Sequence, residues 1–496
     1  MPTHRLLTVE AMRRVDAAAI AAGTPGIELM RRAGAAVAAR AATLAAPSSR
    51  ILVLCGPGNN GGDGFVAAQL LERDGYAIDL VCIVPVETLT GDAALAAAEW
   101  KGPILSEAEP EGAALVIDAL FGAGLSRDID GPAKTMIERV AAAGIPVLAV
   151  DVPSGIDGDT GALRGIALAA RETVTFVALK PGHLLQPGRS HCGDLHVADI
   201  GVGESALEAG LAGTPVVWRN GPDLWKDHFP RLEAASHKYT RGHVLALSGP
   251  AYKTGAIRLA ARAALRVGAG LVTVASPAAA MAENAAHLTA IMLMPCETAD
   301  DLDDLLVDER INVILAGPGL GSGEATRERI AVAAGVGRSL VLDADALTSF
   351  KGEAGQLADL IADGGGQAVL TPHQGEFGRL FAGTNAIADD ASKLERTRRA
   401  AALAGAVVVL KGADTIIAAP DGRAAINDHA TPHLGTAGSG DVLAGLAAGL
   451  LAQGMPAFEA ACAAVWLHGD AGLRHGPGLI AEDLPELMPE VLGALV

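Results

Sequence analysis

Short apolar runs, each closing in a loop of glycine, proline or aspartate and each followed by a helical stretch, recur along most of this chain. ILVLCG (51–56), IDLVCIV, ALVIDALFG and PVLAVDVPSG form one series, with TVTFVALK and DLHVADIG as later strands of the same sheet. GHVLALSG, AGLVTVASP, AIMLMPC, INVILAGPGLG, SLVLDADAL, AVLTPHQGE and AVVVLKGAD form a second. Runs that are apolar throughout belong to strands buried on both faces, and their alternation with helices implies a parallel sheet covered on both sides. The series runs twice, which predicts two α/β domains, 1–215 and 223–496. Between them GTPVVWRNGPDLWKDHFPRLEAASHKYTRG carries three prolines, two of the four tryptophans and no clear period, so it reads as the connection. Residues 1–46 read as helical, and TIIAAPDGRAAIN as a hairpin turning at Asp421-Gly422.

The rest of the sequence narrows the class. Acids outnumber bases 57 to 38, a formal charge of −19, which argues against nucleic acid or an anionic membrane as partner. A small anionic ligand is still allowed, because backbone amides at helix N-termini hold anions without net positive charge. The 5 cysteines include no C-x-x-C pair, so neither a disulfide framework nor a zinc knuckle is expected. MPTHRLLTVEAMRRVD has no apolar core, so no signal peptide is expected. Val442 to Phe458 is interrupted by Gly445, Gly449, Gln453, Gly454 and Pro456, and reads as a core helix ending in a turn. We expect a cytoplasmic homo-oligomer acting on small molecules.

Ligands of open α/β sheets bind beyond the carboxyl ends of the strands, and polar residues gather there in both halves. Gly56, Gly58 and Gly61 match G-x-G-x-x-G between a strand and a helix. A dinucleotide site is the obvious reading, but the second strand offers no acid for a ribose, and Asn59, Asn60 and Asp63 are in excess for a simple turn. Asp118 interrupts an apolar strand, and Asp151 and Ser154 stand at the end of another. A carboxylate in such a place is costly unless paired or liganded. In the second half LGTAGSGD runs into a helix, so that the amides of Ala437 to Gly440 form an anion hole beside Asp441, a candidate base. Lys411, Gly412 and Thr415 end one strand, His373 and Glu376 another, and Asp343 and Asp345 a third.

GPGNNGGDG, IDALFGAGLSR and VDVPSG resemble the NAD(P)H-hydrate epimerase domain. HKYTRG, GPGLGSG, DADAL, TPHQGE, KGADT and GTAGSGD resemble the ADP-dependent NAD(P)H-hydrate dehydratase. Together they resemble the bifunctional nicotinamide nucleotide repair family over nearly the whole chain. The resemblance implies an α/β chain, with an N-terminal Rossmann-like three-layer domain and a C-terminal ribokinase-like domain. It implies epimerisation of the R and S hydrates, NADHX and NADPHX, and dehydration of the S form with ADP.

By resemblance, Asn59, Asn60, Gly61, Gly62 and Asp63 bind the hydrate in the first site, with Gly122, Ala123, Gly124, Leu125, Ser126, Arg127, Asp128 and the acid–base group Asp151. Asn60, Asp118 and Ser154 hold potassium, a hard cation suited to oxygen ligands. In the second site Ala256, Gly319, His373 and the base Asp441 meet the hydrate. Lys411, Gly412, Ala413, Asp414, Thr415 and Gly440 hold the nucleotide, and Glu376 aligns with an acidic motif that helps place magnesium. One departure is SGPAYKTGA, where Pro250-Ala251 replaces small polar residues, which loosens the Ala256 assignment. Two rival readings are a small-molecule kinase with a regulatory first half, and a first half that only binds partners.

Overall fold

The computed structural model describes residues 4–232, 237–388 and 391–495. Residues 1–3 of the leading helical stretch, 233–236 of the expected connection and the final residue of the second series lie outside these. The chain divides into two compact units, Met1–Val216 and Val217–Val496.

The first unit contains strands β1 (Arg5–Leu6), β2 (Arg50–Cys55), β3 (Ala77–Cys82), β4 (Ile104–Leu105), β5 (Leu115–Ala119), β6 (Val147–Val150), β7 (Glu172–Phe176) and β8 (Asp194–Ala198). Its sheet runs β4-β3-β2-β5-β6-β7-β8, and every pairing is parallel. Along β2, Ile51, Val53 and Cys55 enter one core, together with residues of helices Gly26–Leu44 and Asn59–Arg73. Leu52 and Leu54 enter another, with Met136, Ile137 and Val140 of helix Gly131–Ala143. Alternate residues of a strand point to opposite faces, so a run buried on both faces must be apolar at every position. The strand order reverses between β2 and β5, and the crevice that opens at such a reversal is where ligands of this architecture bind.

The second unit contains β9 (Val217–Arg219), β10 (His243–Leu247), β11 (Leu271–Ser276), β12 (Met292–Pro295), β13 (Val313–Ala316), β14 (Ser339–Leu342), β15 (Ala368–Leu370), β16 (Val407–Leu410), β17 (Thr415–Ala418) and β18 (Ala424–Asn427). Their order is β9-β18-β17-β16-β15-β14-β13-β10-β11-β12. The strands from β16 to β12 are parallel, and β17 and β18 form the expected antiparallel hairpin. Here the order reverses between β13 and β10.

The stretch read as an irregular connection is more ordered than its sequence suggests. β9 lies within it, pairs with β18, and is fixed by two hydrogen bonds from Arg219 to Asp428, of 2.9 and 2.7 Å. Trp225, also in that stretch, is 1% exposed and belongs to the core of the second unit. A three-residue strand is too short to carry a period, which hides it in sequence.

Small residues bring helices together in this core. Helix Ser439–Ala452 packs on helix Thr254–Arg266 so closely that a Cβ on Gly445 would lie 2.1 Å from the Ala260 carbonyl oxygen, and one on Gly449 2.6 Å from that of Ala264. Glycines four apart share one helix face, and their missing side chains let the two backbones meet. That contact fixes the helix with Asp441 in its first turn against the helix that carries Ala256. Among the described residues no helix is long and apolar enough to cross a membrane.

Candidate active sites

In the first unit, β2 turns into helix Asn59–Arg73 through the glycine loop. A Cβ on Gly56 would lie 1.7 Å from the Leu120 carbonyl oxygen, and one on Gly61 2.0 Å from that of Gly56. Those glycines therefore bring the turn against the β5 loop. Above them lies a cavity of about 570 Å³ lined by Asn59, Asn60, Asp63, Gly122, Ala123, Gly124, Leu125, Ser126, Arg127 and Asp151. The structure thus gathers most of the residues expected at this site. Gly61, Gly62 and Asp128 are not on that lining. A Cβ on Gly62 would lie 2.6 Å from Met30 Cε, so its place is in helix packing.

Beneath the cavity Asp118 is fully buried. The Ser154 hydroxyl and amide donate to it at 2.6 and 2.8 Å, and the Leu120 amide at 3.3 Å. Burial pushes its pKa up, and these hydrogen bonds oppose the shift. No positive side chain is among those donors. Nearby, the Asn60 side-chain nitrogen is buried without a hydrogen-bond partner.

Asp151 adopts φ +64°, a left-handed backbone uncommon outside glycine and often found at functional sites. Its Oδ2 accepts from the Ala123 amide at 3.1 Å, and its Oδ1 from Thr175 at 2.9 Å and from Lys180 Nζ at 2.6 Å. Burial alone would raise its pKa, but Lys180, together with the Ala123 amide and His183, overcomes burial and holds it at about 2. Two further carboxyls line the same cavity. Burial lifts Asp63 well above the usual range, with Asp151 and Asp16 adding to the shift. Burial also brings Asp16 to about 6. One cavity therefore holds Asp151 as an ionised carboxylate beside Asp63, which burial favours in its protonated form, a division that suits base and acid roles.

Sequence reasoning missed Asp16 and Lys180. Asp16 lies on helix Val9–Ala21, which read only as an amphipathic helix. Lys180 did carry a signal: a lysine just past an apolar strand is as costly to bury as Asp118 within one.

In the second unit the residues come from the ends of β10, β13, β14, β15 and β16. A Cβ on Gly319, whose φ is +65°, would lie 3.4 Å from Ala256 Cβ, so these two expected contacts are neighbours. Asp343, 2% exposed, accepts from Lys411 Nζ at 2.8 Å and from the Thr371 hydroxyl at 2.9 Å. A Cβ on Gly440 would lie 3.1 Å from Lys411 Nζ, which puts that ammonium beside the glycine turn. Gly438 has φ +85° and caps helix Ser439–Ala452, with Asp441 in the first turn. Burial brings Asp441 to about 6, with Asp343, Glu376 and Asp345 adding to the rise and Lys411 opposing it.

Local geometry qualifies three expectations. The Ser439 amide donates to the Thr436 carbonyl at 3.4 Å, so the anion hole is left to its neighbours. His373 caps helix Gln374–Leu380: its Nδ1 accepts from the Gly375 amide at 2.9 Å, and its own amide donates to the Glu376 carboxylate at 2.9 Å. Asp414 is held by Lys393, whose Nζ also reaches the Asp414 carbonyl at 2.8 Å. Its carboxylate therefore orders the KGADT turn.

Two units, each with buried carboxylates beyond the carboxyl ends of its own parallel strands, make this an α/β enzyme with two active sites. Residues 26–182 match the family described as YjeF-related protein N-terminus, and 244–486 match NAD(P)H-hydrate dehydratase. The chain is similar to the bifunctional NAD(P)H-hydrate repair enzyme of Salinibacter ruber, at 35% identity over 98% of this chain and 96% of that one. It is similar to that of Escherichia coli K12 at 35% identity over 92% of this chain and 88% of that one. The ADP/ATP-dependent NAD(P)H-hydrate dehydratase of Bacillus subtilis, co-crystallized with ATP/Mg2+, aligns with 57% of this chain and 100% of its own, at 26% identity and a TM-score of 0.49. The chain belongs to the bifunctional NAD(P)H-hydrate repair enzyme family.

Proposed function

We propose that residues 1–215 interconvert the R and S hydrates of NADH and NADPH, and that residues 223–496 dehydrate the S form with ADP, giving NAD(P)H, AMP and phosphate. The observation that carries this reading is that each half matches its own family while holding its own set of buried carboxylates.

In the first site the hydroxyl-bearing ring carbon is a hemiaminal. It changes configuration either by losing and regaining the hydroxyl or by opening and reclosing the ring. Opening the ring takes a proton from that oxygen, which Asp151, ionised at neutral pH, accepts; losing the hydroxyl needs a proton delivered to it, which Asp63, kept protonated by burial on the same cavity wall, supplies. Potassium suits Asn60, Asp118 and Ser154: a buried carboxylate whose hydrogen bonds come from no cation gains from one nearby. Its chemistry there is to neutralise Asp118 and fix the loops that meet on it.

In the second site Asp441 takes the proton of the S hydroxyl, whose oxygen attacks the β-phosphoryl group of ADP and releases AMP. The Gly440 turn and Lys411 hold the phosphoryl group. Phosphate then leaves, expelled by the lone pair of the ring nitrogen, and loss of a proton from the adjacent carbon restores the reduced ring. A base with pKa near 6 is ionised at neutral pH yet still basic enough for this task. Among the described residues no set of three or more His, Cys, Asp or Glu side chains is placed to hold a metal. Magnesium would therefore be held by one or two carboxylates, Glu376 among them, together with nucleotide phosphates and water. It supplies charge neutralisation to the phosphates. The five buried, unpaired cysteines support a reducing, cytoplasmic setting.

The test is a mixture of R and S NADH hydrates given to the full chain with and without ADP and magnesium. Both epimers should be converted to NADH only with nucleotide, and should interconvert without it. Consumption of the S form alone would remove the epimerase, and no recovery of NADH would remove the whole reading.

A further inference from the structure

Behind Asp151 stands a second layer of buried polar residues that none of the expected site assignments includes. Lys180 is 2% exposed and His183 fully buried. Lys180 Nζ donates to Asp151 Oδ1 at 2.6 Å, to Thr175 Oγ1 at 2.7 Å and to the Phe176 carbonyl at 3.4 Å. An ammonium has three N–H groups, and here each has a protein acceptor. Lys180 thus has no proton left over for a ligand.

The next residues lock the backbone. The Lys180 amide donates to His183 Nδ1 at 2.8 Å, so the ring proton lies on Nε2, which donates to the Asp151 carbonyl at 2.8 Å. Burial lowers the His183 pKa to about 4, with Lys180 adding to the shift, so the ring keeps this neutral form. Lys180 and His183 therefore grip Asp151 at its side chain and its main chain, at the residue whose φ is +64°. A carboxylate gripped through Oδ1 presents Oδ2 toward Gly122 and Ala123, both on the cavity wall.

We propose that Lys180, seated by His183, is a positioning residue of the epimerase site that turns Oδ2 of Asp151 to the hydrate. It rests on the reading of Asp151 as the acid–base group. The device is local, since Lys180, Thr175 and His183 all follow from β7 and the turn after it. Asp16, Asp63, Asp92, Arg13 and Arg127 also line the cavity wall.

The experiment uses the full chain without nucleotide and follows conversion of purified R hydrate to S, with dehydration of S hydrate plus ADP as an internal control in the same protein. Lys180→Met should lower kcat of epimerisation about 10²-fold, the scale expected when a reacting group is displaced by about 1 Å, while KM changes little. Lys180→Arg should recover part of kcat. If Lys180→Met does not fold, Thr175→Val, which removes the hydroxyl shared by Asp151 and Lys180, should lower kcat in the same sense with KM unchanged. Unchanged kcat in the folded variants, or a loss carried by KM alone, would overturn the proposal. Asp151→Asn separates the failures: if it epimerises normally, the reading of Asp151 is wrong. If it is inactive while the Lys180 and Thr175 variants are not, only the positioning role is wrong.

Discussion

Asp151 and Asp441 occupy comparable places, each beside a glycine-bearing loop at the mouth of its own sheet, and burial raises the pKa of both. Asp151 nevertheless ends at about 2 and Asp441 at about 6. The difference lies in where the nearby lysine spends its charge. Lys180 sits directly on Asp151 at 2.6 Å. Lys411 pairs instead with Asp343 at 2.8 Å, and around Asp441 its opposing charge is set against burial and the carboxylates of Asp343, Glu376 and Asp345. A like charge disfavours ionisation and an opposite charge favours it. One chain thus makes a strongly ionised carboxylate and a proton-accepting base of middling strength from the same residue type.

The largest way to break the comparison is Asp441→Asn. It should cost dehydration about 10²–10⁴-fold, the range for loss of a general base, and leave epimerisation untouched. Assays of both reactions on the same preparation check this, and a loss of both would deny the separation of the sites. Asp118→Ala should be next. Epimerisation and its response to added potassium should fall together, by about 10-fold or more if Asp118 orders the ion site, as followed by R-to-S conversion across a potassium series. A rate loss with an unaltered potassium response would leave Asp118 as a structural acid. Asp343→Asn should have the smallest effect and sharpen the comparison most. Removing that negative charge, and releasing Lys411, favours ionised Asp441 and lowers its pKa. The acid limb of the dehydration profile should then move down by about one pH unit; an unmoved limb would mean that Asp343 does not set the Asp441 pKa.

Much of this architecture was legible because a doubly covered strand must be apolar at every position, so Asp118 stood out as an exception. The glycine turns were legible too, since strand, glycine and helix are adjacent in sequence. Gly62 shows the limit. It lies within the same motif, yet what it touches is Met30 on another helix, and only folding reveals that contact. Asp16 was hidden for the same reason: nothing in a helical period tells which polar position will face a cavity built from other elements. The Ser439 amide falls within the expected anion hole because free amides are expected at a helix start, but the preceding turn brings the Thr436 carbonyl to it. β9 was hidden by its length, and it takes its order from β18, some two hundred residues away.

The most direct test is the pH dependence of both reactions in the unmutated chain, epimerisation of R hydrate without nucleotide and dehydration of S hydrate with saturating ADP and magnesium. Asp441 must be ionised to accept a proton and its pKa is about 6, so dehydration should fall tenfold per pH unit below about pH 6. Asp151, at about 2, should add no such limb to epimerisation in that range. A dehydration rate that stays flat through pH 6 and below would contradict the assignment of Asp441 as the base, and with it the account of two carboxylates tuned in opposite directions.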